Sequence, residues 1–314
     1  MKFKVLLTST SFMDAPGAHQ DLLYSQGFDI DTMRGPLTED ELRPVVGNYD
    51  AIICGDDEYT AEILEIAKGG RLKYLSKYGV GLDRINLAKA RELGIPVTNC
   101  PSVNQNSVAE HAFALLLAFV KNIHLEYPIT KAGGWKRYVS TEIYGKKMGI
   151  VGLGAIGKEM VKRARGFGLE VIAYEKFVDH TYIKENNISL AESIEALAAQ
   201  ADIITLHVPH TPETEGMIGE KLVKESLKPG TIIINTARGK LVNLDAIKYG
   251  LENNIIAGYL ADVLDIEPMP KDYPMKDWPN VLITPHISSR SYESVIRQGT
   301  FAVNNLLDLI SAGK

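Results

Sequence analysis

Cysteine is nearly absent: Cys54 and Cys100 are the two among 314 residues. Two thiols make no disulfide framework, and so low a content fits a reducing compartment. Long apolar runs are missing as well. The longest, residues 112–120, is too short to cross a bilayer. The opening Met1-Lys-Phe-Lys-Val-Leu-Leu-Thr-Ser looks briefly like a secretion signal, but its apolar run is short and Asp14 follows soon, so a first β-strand is expected there. There is no long Lys/Arg run, and a net charge of −5 with a pI near 5.9 argues against nucleic acid or an anionic membrane as the partner. No internal repeat or low-complexity tract is found. What is left is the expectation of a cytoplasmic protein of two domains, since the chain exceeds one ordinary domain and its 45% hydrophobic and 23% charged content is that of a globular protein.

One stretch organises the rest. Residues 148–151 are a short apolar run suited to a buried strand, and they lead directly into Gly152-x-Gly154-x-x-Gly157. Ile156, Met160, Val161 and Ala164 then recur at helical spacing, Gly168 is placed to stop the helix, and 170–174 reads as a second strand ending at Glu175. This is the pattern of a dinucleotide site. Gly152 permits the tight turn, Gly154 lets a pyrophosphate approach the backbone, and Gly157 lets helix and strand pack closely. The helix N-terminus offers unpaired N–H groups. An acid about 20 residues on takes the ribose 2′-hydroxyl, and Glu175 lies 175 − 157 = 18 beyond the last glycine. Gly152 to Lys158 also spells the start of a triphosphate-binding P-loop, but that motif next needs Ser or Thr to reach Mg²⁺, and Glu159 stands there.

Around this stretch the chain alternates strand and helix. Strands are expected at 4–7, 51–53, 73–75 and 96–99, and a long helix from about 104 to 122 that is apolar nearly all round at 112–120, hence buried between domains or subunits. Six more strands are expected at 148–151, 170–174, 202–206, 231–235, 256–260 and 281–284, with a capping box at Ser189-Leu-Ala-Glu192 and a last helix at 291–310. Such a series builds a doubly wound parallel sheet of the Rossmann type, with ligands at the carboxyl ends of its strands. Those ends are followed in turn by the glycine loop, Glu175, Val208-Pro209, Thr236-Ala237-Arg238, Asp262 with Glu267, and His286. An Arg, an acid and a His thus gather on the edge where a dinucleotide lies. His207 and His210 are three apart, but Pro209 intervenes and no third ligand is evident, so no metal is expected.

With these residues in view, the chain resembles the D-isomer-specific 2-hydroxyacid dehydrogenases, the family of phosphoglycerate dehydrogenase and glyoxylate/hydroxypyruvate reductase. The motifs are Tyr78-Gly-Val-Gly-Leu-Asp83, Asn106-Ser-Val-Ala-Glu110, the glycine loop, Leu206-His-Val-Pro209, Asn235-Thr-Ala-Arg-Gly239, Asp262-Val-Leu-Asp-Ile-Glu-Pro268 and Thr284-Pro-His286. The resemblance implies an α/β protein: a Rossmann NAD domain at 102–287, a second, flavodoxin-like α/β substrate domain from 1–101 and 288–314, and a homodimer. It implies His286 as proton donor to a 2-oxo acid, Glu267 fixing the tautomer of His286, and Arg238 gripping the substrate carboxylate with the backbone N–H groups of Val80 and Gly81. For NAD it implies Gly152, Gly154, Ala155, Ile156, Gly157, Glu175, Val208, Thr236, Ala237, Arg238 and His286, with Asp262 near the carboxamide. Glu110 reads as a structural acid, and Trp135 and Tyr138 as subunit interface. Two alternatives stay open, phosphoglycerate dehydrogenase proper and the NAD-sensing corepressors of the same family, which carry long extra tails where this chain stops soon after its last helix. A third, formate dehydrogenase, has Gln where Glu267 stands. One departure bears on substrate. Phosphoglycerate dehydrogenases generally carry an Arg just after the strand matching 51–53, whereas this chain has Cys54-Gly-Asp56-Asp57-Glu58, with Lys77 the only nearby cation. That run reads either as a solvated loop or as a carboxylate that disfavours a phosphorylated substrate.

Overall fold

The computed structural model describes residues 2–313, which fall into two compact units, Met1–Asn104 with Ser289–Lys314, and Gln105–Ser288.

The first unit holds a five-stranded parallel sheet of β1 (Lys4–Leu7), β2 (Asp29–Thr32), β3 (Ala51–Cys54), β4 (Tyr74–Lys77) and β5 (Val97–Thr98) in the order β2-β1-β3-β4-β5. This is the flavodoxin-like order. β3 is buried at every position and reads as an unbroken apolar run. β2, Asp-Ile-Asp-Thr, escapes the sequence reading because an exposed edge strand needs no apolar period. The helix Tyr292–Ala312, capped by Ser291, returns to this sheet: Ala302, Val303 and Leu306 join Val5, Leu7 and Ile53 in one core, and Ser76 Oγ donates to Ala302 O at 2.8 Å.

The second unit holds seven parallel strands: β6 (Lys147–Val151), β7 (Glu170–Tyr174), β8 (Ser189–Leu190), β9 (Ile203–Leu206), β10 (Thr231–Asn235), β11 (Ile256–Ala261) and β12 (Val281–Ile283). Their order is β12-β11-β10-β9-β6-β7-β8, with the winding reversing between β6 and β9. That reversal is the doubly wound Rossmann arrangement, and the crevice at its carboxyl edge is where ligands sit. β9 and β10 are wholly buried.

One local expectation fails here. Ser189 starts no helix. It lies in the two-residue edge strand β8, and the following helix, Ile194–Ala198, is capped by Ser193 instead. A capping box does exist, at Thr38 and Glu41, which the sequence reading passed over. The long helix ends at Val120, where Asn122 (φ +57°) turns the chain by 68° into a second helix, Ile123–Lys131. The buried face of the helix Gln105–Val120, from Ala109 to Val120, packs on the second unit's own sheet and on Met160, Val161 and Ala164. No single helix among the described residues is long and apolar enough to cross a membrane.

Candidate active site

The glycine turn after β6 is built by steric necessity. Gly152 has φ +97°, and a Cβ there would lie 2.7 Å from the His207 carbonyl oxygen; at Gly157 it would lie 2.0 Å from the Gly152 oxygen. No side chain fits either place. At Gly154, which caps the helix Ala155–Gly166, a Cβ would meet nothing within 4 Å. The turn is therefore closed toward the protein and open at Gly154, beside the N–H groups of Ala155 and Ile156. That is a cradle for a pyrophosphate. Glu175 stands at its rim, accepting from Leu153 N at 2.6 Å and Phe177 N at 2.9 Å. Acid and glycine turn are thus joined directly. The residues present fit a nicotinamide dinucleotide.

After β10, Asn235 shapes the loop that carries Arg238. Its buried amide donates to Arg238 O at 2.8 Å and to Tyr259 Oη at 3.3 Å, and its oxygen accepts from Ala237 N at 3.1 Å. Arg238 Nη1 donates to Ala237 O at 2.7 Å. Gly239 lets this loop touch the next one, since a Cβ there would lie 2.0 Å from Leu264 C and 2.2 Å from Asp265 N. That neighbouring loop carries Glu267, whose Oε1 accepts from Leu264 N at 2.8 Å and whose Oε2 lies 2.7 Å from His286 Nδ1. Three residues far apart in sequence are so drawn to one edge of one sheet. The roles of Asn235 and Gly239 were missed. Their motif was quoted, but only the contact between loops reveals what they do.

His286 has φ +53°, and its N–H is shared between Asp262 O (2.8 Å) and Thr284 O (3.0 Å). A left-handed conformation at a non-glycine residue persists only where the surroundings enforce it. Here Asp262 enforces it. Its carboxylate accepts from Thr284 Oγ1 at 2.6 Å, Ile287 N at 2.9 Å and Ser288 N at 2.7 Å. Burial opposes the charge of Asp262, but these donors and His111 outweigh it and hold the carboxyl below its usual range. Asp262 is 0% exposed, with both oxygens engaged inside the protein, so it braces the backbone beside His286.

Val208 follows β9 beside Gly152, where its Cγ1 would lie 2.9 Å from an added Cβ. Thr236 is buried, and its hydroxyl finds no partner among the described residues. His207 packs at the strand end as expected, with Nε2 2.9 Å from Thr205 Oγ1, and burial pushes its imidazole down to about 3. Glu110 pairs with Arg163 at 2.9 Å on the surface. Among the described residues no group of three or more His, Cys, Asp or Glu is placed to hold a metal ion.

In the first unit, the loop Tyr78-Gly-Val-Gly81 is held by its carbonyls. Lys77 Nζ donates to Tyr78 O at 2.9 Å, Cys100 N to Gly79 O at 2.8 Å and Asn99 Nδ2 to Val80 O at 2.7 Å. In a trans peptide C=O and N–H point in opposite directions, so these bonds aim the N–H groups of Val80 and Gly81 away from Cys100 and Asn99. Buried Lys77 also pairs with Asp56 at 2.9 Å. Burial opposes the lysine's charge, but Asp56, Cys54 and Asp57 together outweigh it and the pKa is raised. The three acids are not one solvated run. Asp57 is 1% exposed and bonds Leu37 N at 2.8 Å and the Thr8 hydroxyl, so it is a staple of the unit; Asp56 and Glu58 are exposed.

Known proteins bear on this arrangement. The family model described as D-isomer specific 2-hydroxyacid dehydrogenase, NAD binding domain, matches residues 113–288. The D-3-phosphoglycerate dehydrogenase of Methanocaldococcus jannaschii is 36% identical over 273 residues, 86% of this chain and 51% of its own length. The glyoxylate reductase of Korarchaeum cryptofilum is 35% identical over 257 residues, 80% of this chain and 76% of its own. Among solved structures, the TT0316 protein of Thermus thermophilus aligns with a TM-score of 0.87 at 33% identity, covering 99% of this chain and 97% of that one. The chain spans about half the length of the phosphoglycerate dehydrogenases it matches. A nicotinamide dinucleotide is the cofactor of this fold's matched domain, and by that match and those identities the chain belongs to the D-isomer-specific 2-hydroxyacid dehydrogenase family.

Proposed function

We propose that the protein is an NAD-dependent D-2-hydroxyacid dehydrogenase that interconverts a small 2-oxo acid and its 2-hydroxy acid, as a homodimer. The observation that carries this reading is the 2.7 Å contact between His286 Nδ1 and Glu267 Oε2 on the sheet edge that bears the glycine cradle. The bound dinucleotide supplies or takes up the hydride at the substrate's C2. His286, oriented through Nδ1 by Glu267, gives the proton to the carbonyl oxygen from Nε2 in reduction and takes it back in oxidation. Arg238 binds the substrate carboxylate with its planar fork and polarises the carbonyl, and the N–H groups of Val80 and Gly81 bind the carboxylate's other side. Glu175 accepts from a free 2′-hydroxyl and repels a 2′-phosphate, which favours NAD over NADP.

The Lys77–Asp56 pair supports a small, unphosphorylated substrate, such as glyoxylate or hydroxypyruvate. The buried cation under the Val80 loop already has a carboxylate partner, so it adds no net positive charge for a second anion. The homodimer reading rests on a cluster of exposed apolar side chains in one segment of the second unit, with Trp135 82% and Val139 98% exposed beside Tyr127 and Tyr144. The test is NADH oxidation with a panel of 2-oxo acids. Consumption with glyoxylate or hydroxypyruvate is expected; no consumption with any member of the panel, under conditions where NADH binds, would favour an NAD-sensing protein without catalysis.

A further inference from the structure

The motif Asn106-Ser-Val-Ala-Glu110 takes no part in the chemistry above, and its companion His111 has no assigned role. Ser107 and His111 are 111 − 107 = 4 apart on the helix Gln105–Val120, hence one above the other on a single face. Ser107 Oγ donates to Ser288 O at 2.7 Å, and His111 Nε2 lies 2.9 Å from Thr284 Oγ1 and 3.4 Å from Asp262 Oδ1. Ser288 and Thr284 flank His286 on either side. The direction of the network follows from its acceptors. Asp262 can only accept, so Thr284 Oγ1 donates to it and in turn accepts from His111 Nε2–H. Asp262 spends its remaining capacity on Ile287 N and Ser288 N, and its own carbonyl receives His286 N.

The helix behind this is firmly packed. Ala109, Ala112, Phe113 and Leu116, on and around the same turns, are packed into the core of the sheet. A left-handed residue cannot hold itself, and residues 284–288 are tied to this helix at both ends, through the Thr284 side chain and the Ser288 carbonyl. Glu110, which lies between the two contacts in sequence, points elsewhere, to Arg163.

We propose that Ser107 and His111, acting through Thr284 and the enclosed carboxylate of Asp262, are positioning residues that set His286 against Glu267 for proton transfer, without touching substrate or cofactor. This rests on the reading of His286 as the proton donor. The test compares His111→Leu, His111→Gln, Ser107→Ala and the control Glu110→Gln in the full chain. It measures kcat with saturating hydroxypyruvate and the Kd of NADH by fluorescence. Because misplacing a reacting group by about an ångström costs up to 100-fold, His111→Leu should lower kcat roughly 10- to 100-fold, with a smaller fall for Ser107→Ala. The Kd of NADH should not change, His111→Gln should recover most of the rate by restoring an N–H donor, and Glu110→Gln should behave as wild type. Unchanged kcat in both His111→Leu and Ser107→Ala would overturn the proposal. So would kcat and NADH affinity falling together with no recovery in His111→Gln. If His111→Leu fails to fold, Ser107→Ala, which removes one hydroxyl, carries the comparison alone. A His286→Gln enzyme with undiminished turnover would instead sink the assignment of His286 itself, a separate failure.

Discussion

Replacing Gly239 with alanine should damage catalysis far more than folding. The added Cβ would lie 2.0 Å from Leu264 C, 2.2 Å from Asp265 N and 2.3 Å from Leu264 O, all backbone atoms with no rotamer to yield. Ordinary contact begins near 3.4 Å, so the loop of Arg238 and the loop of Glu267 must separate by about 3.4 − 2.0 = 1.4 Å. Overpacking of this kind costs about 1–3 kcal/mol, which for a unit of this size lowers Tm by only several degrees. The same displacement moves Arg238 relative to Glu267 and His286, and an ångström of misplacement is worth about 100-fold in rate. Steady-state kinetics with NADH and hydroxypyruvate, beside thermal unfolding of the same preparation, should show kcat/KM down about two orders of magnitude in a protein that is still folded. Wild-type kcat/KM in Gly239→Ala would mean that the two loops do not approach so closely, and the account of how Arg238 is placed would fall.

Four further outcomes are expected. Glu175→Ser should raise kcat/KM for NADPH relative to NADH by removing the charge that repels a 2′-phosphate; an unchanged ratio would remove Glu175 from cofactor choice. Asp56→Asn, which leaves Lys77 without its ion-pair partner, should improve phosphohydroxypyruvate relative to hydroxypyruvate in a kcat/KM comparison, whereas Asp57→Ala should leave that ratio alone and cost about 1–3 kcal/mol in urea unfolding, because it strips the Leu37 and Thr8 donors of their acceptor. His207 is held near 3 in the folded state against 6.5 unfolded, so its stabilising effect is complete above 6.5 and is lost as pH falls toward 3. Between pH 7 and pH 5 that loss amounts to about 2 kcal/mol, and His207→Gln should show a correspondingly flatter pH dependence of unfolding.

Much of the fold could be read from residue order. The wholly buried strands β9 and β10 are mostly apolar, interrupted only by Thr205 and by Thr231 and Asn235 at the ends of β10, and the glycine turn between β6 and its helix is sterically closed to side chains. The exposed edge strands β2 and β8 left no such trace, because pairing on one side asks little of their side chains. Serine at 189 and at 193 looks alike in sequence, and only the closing of a turn at 193 decides which one caps. The loops after β10, β11 and β12 do carry Arg238, Glu267 and His286. What lay beyond reach was how these residues are held. Ser107 meets Ser288 across 181 positions and His111 meets Thr284 across 173, so no local pattern reports either contact. Asp262 is a similar case: that its enclosed carboxylate braces the backbone beside His286 is visible only in the folded structure.

The central claim is that His286 moves the proton while other residues hold the dinucleotide. Its most direct test is His286→Gln, with kcat for 2-oxo acid reduction and NADH affinity measured on the same preparation. A general acid of this kind contributes about 10²–10⁴-fold, so turnover should fall at least 100-fold while NADH binds as before; turnover close to that of the unaltered enzyme would contradict the account.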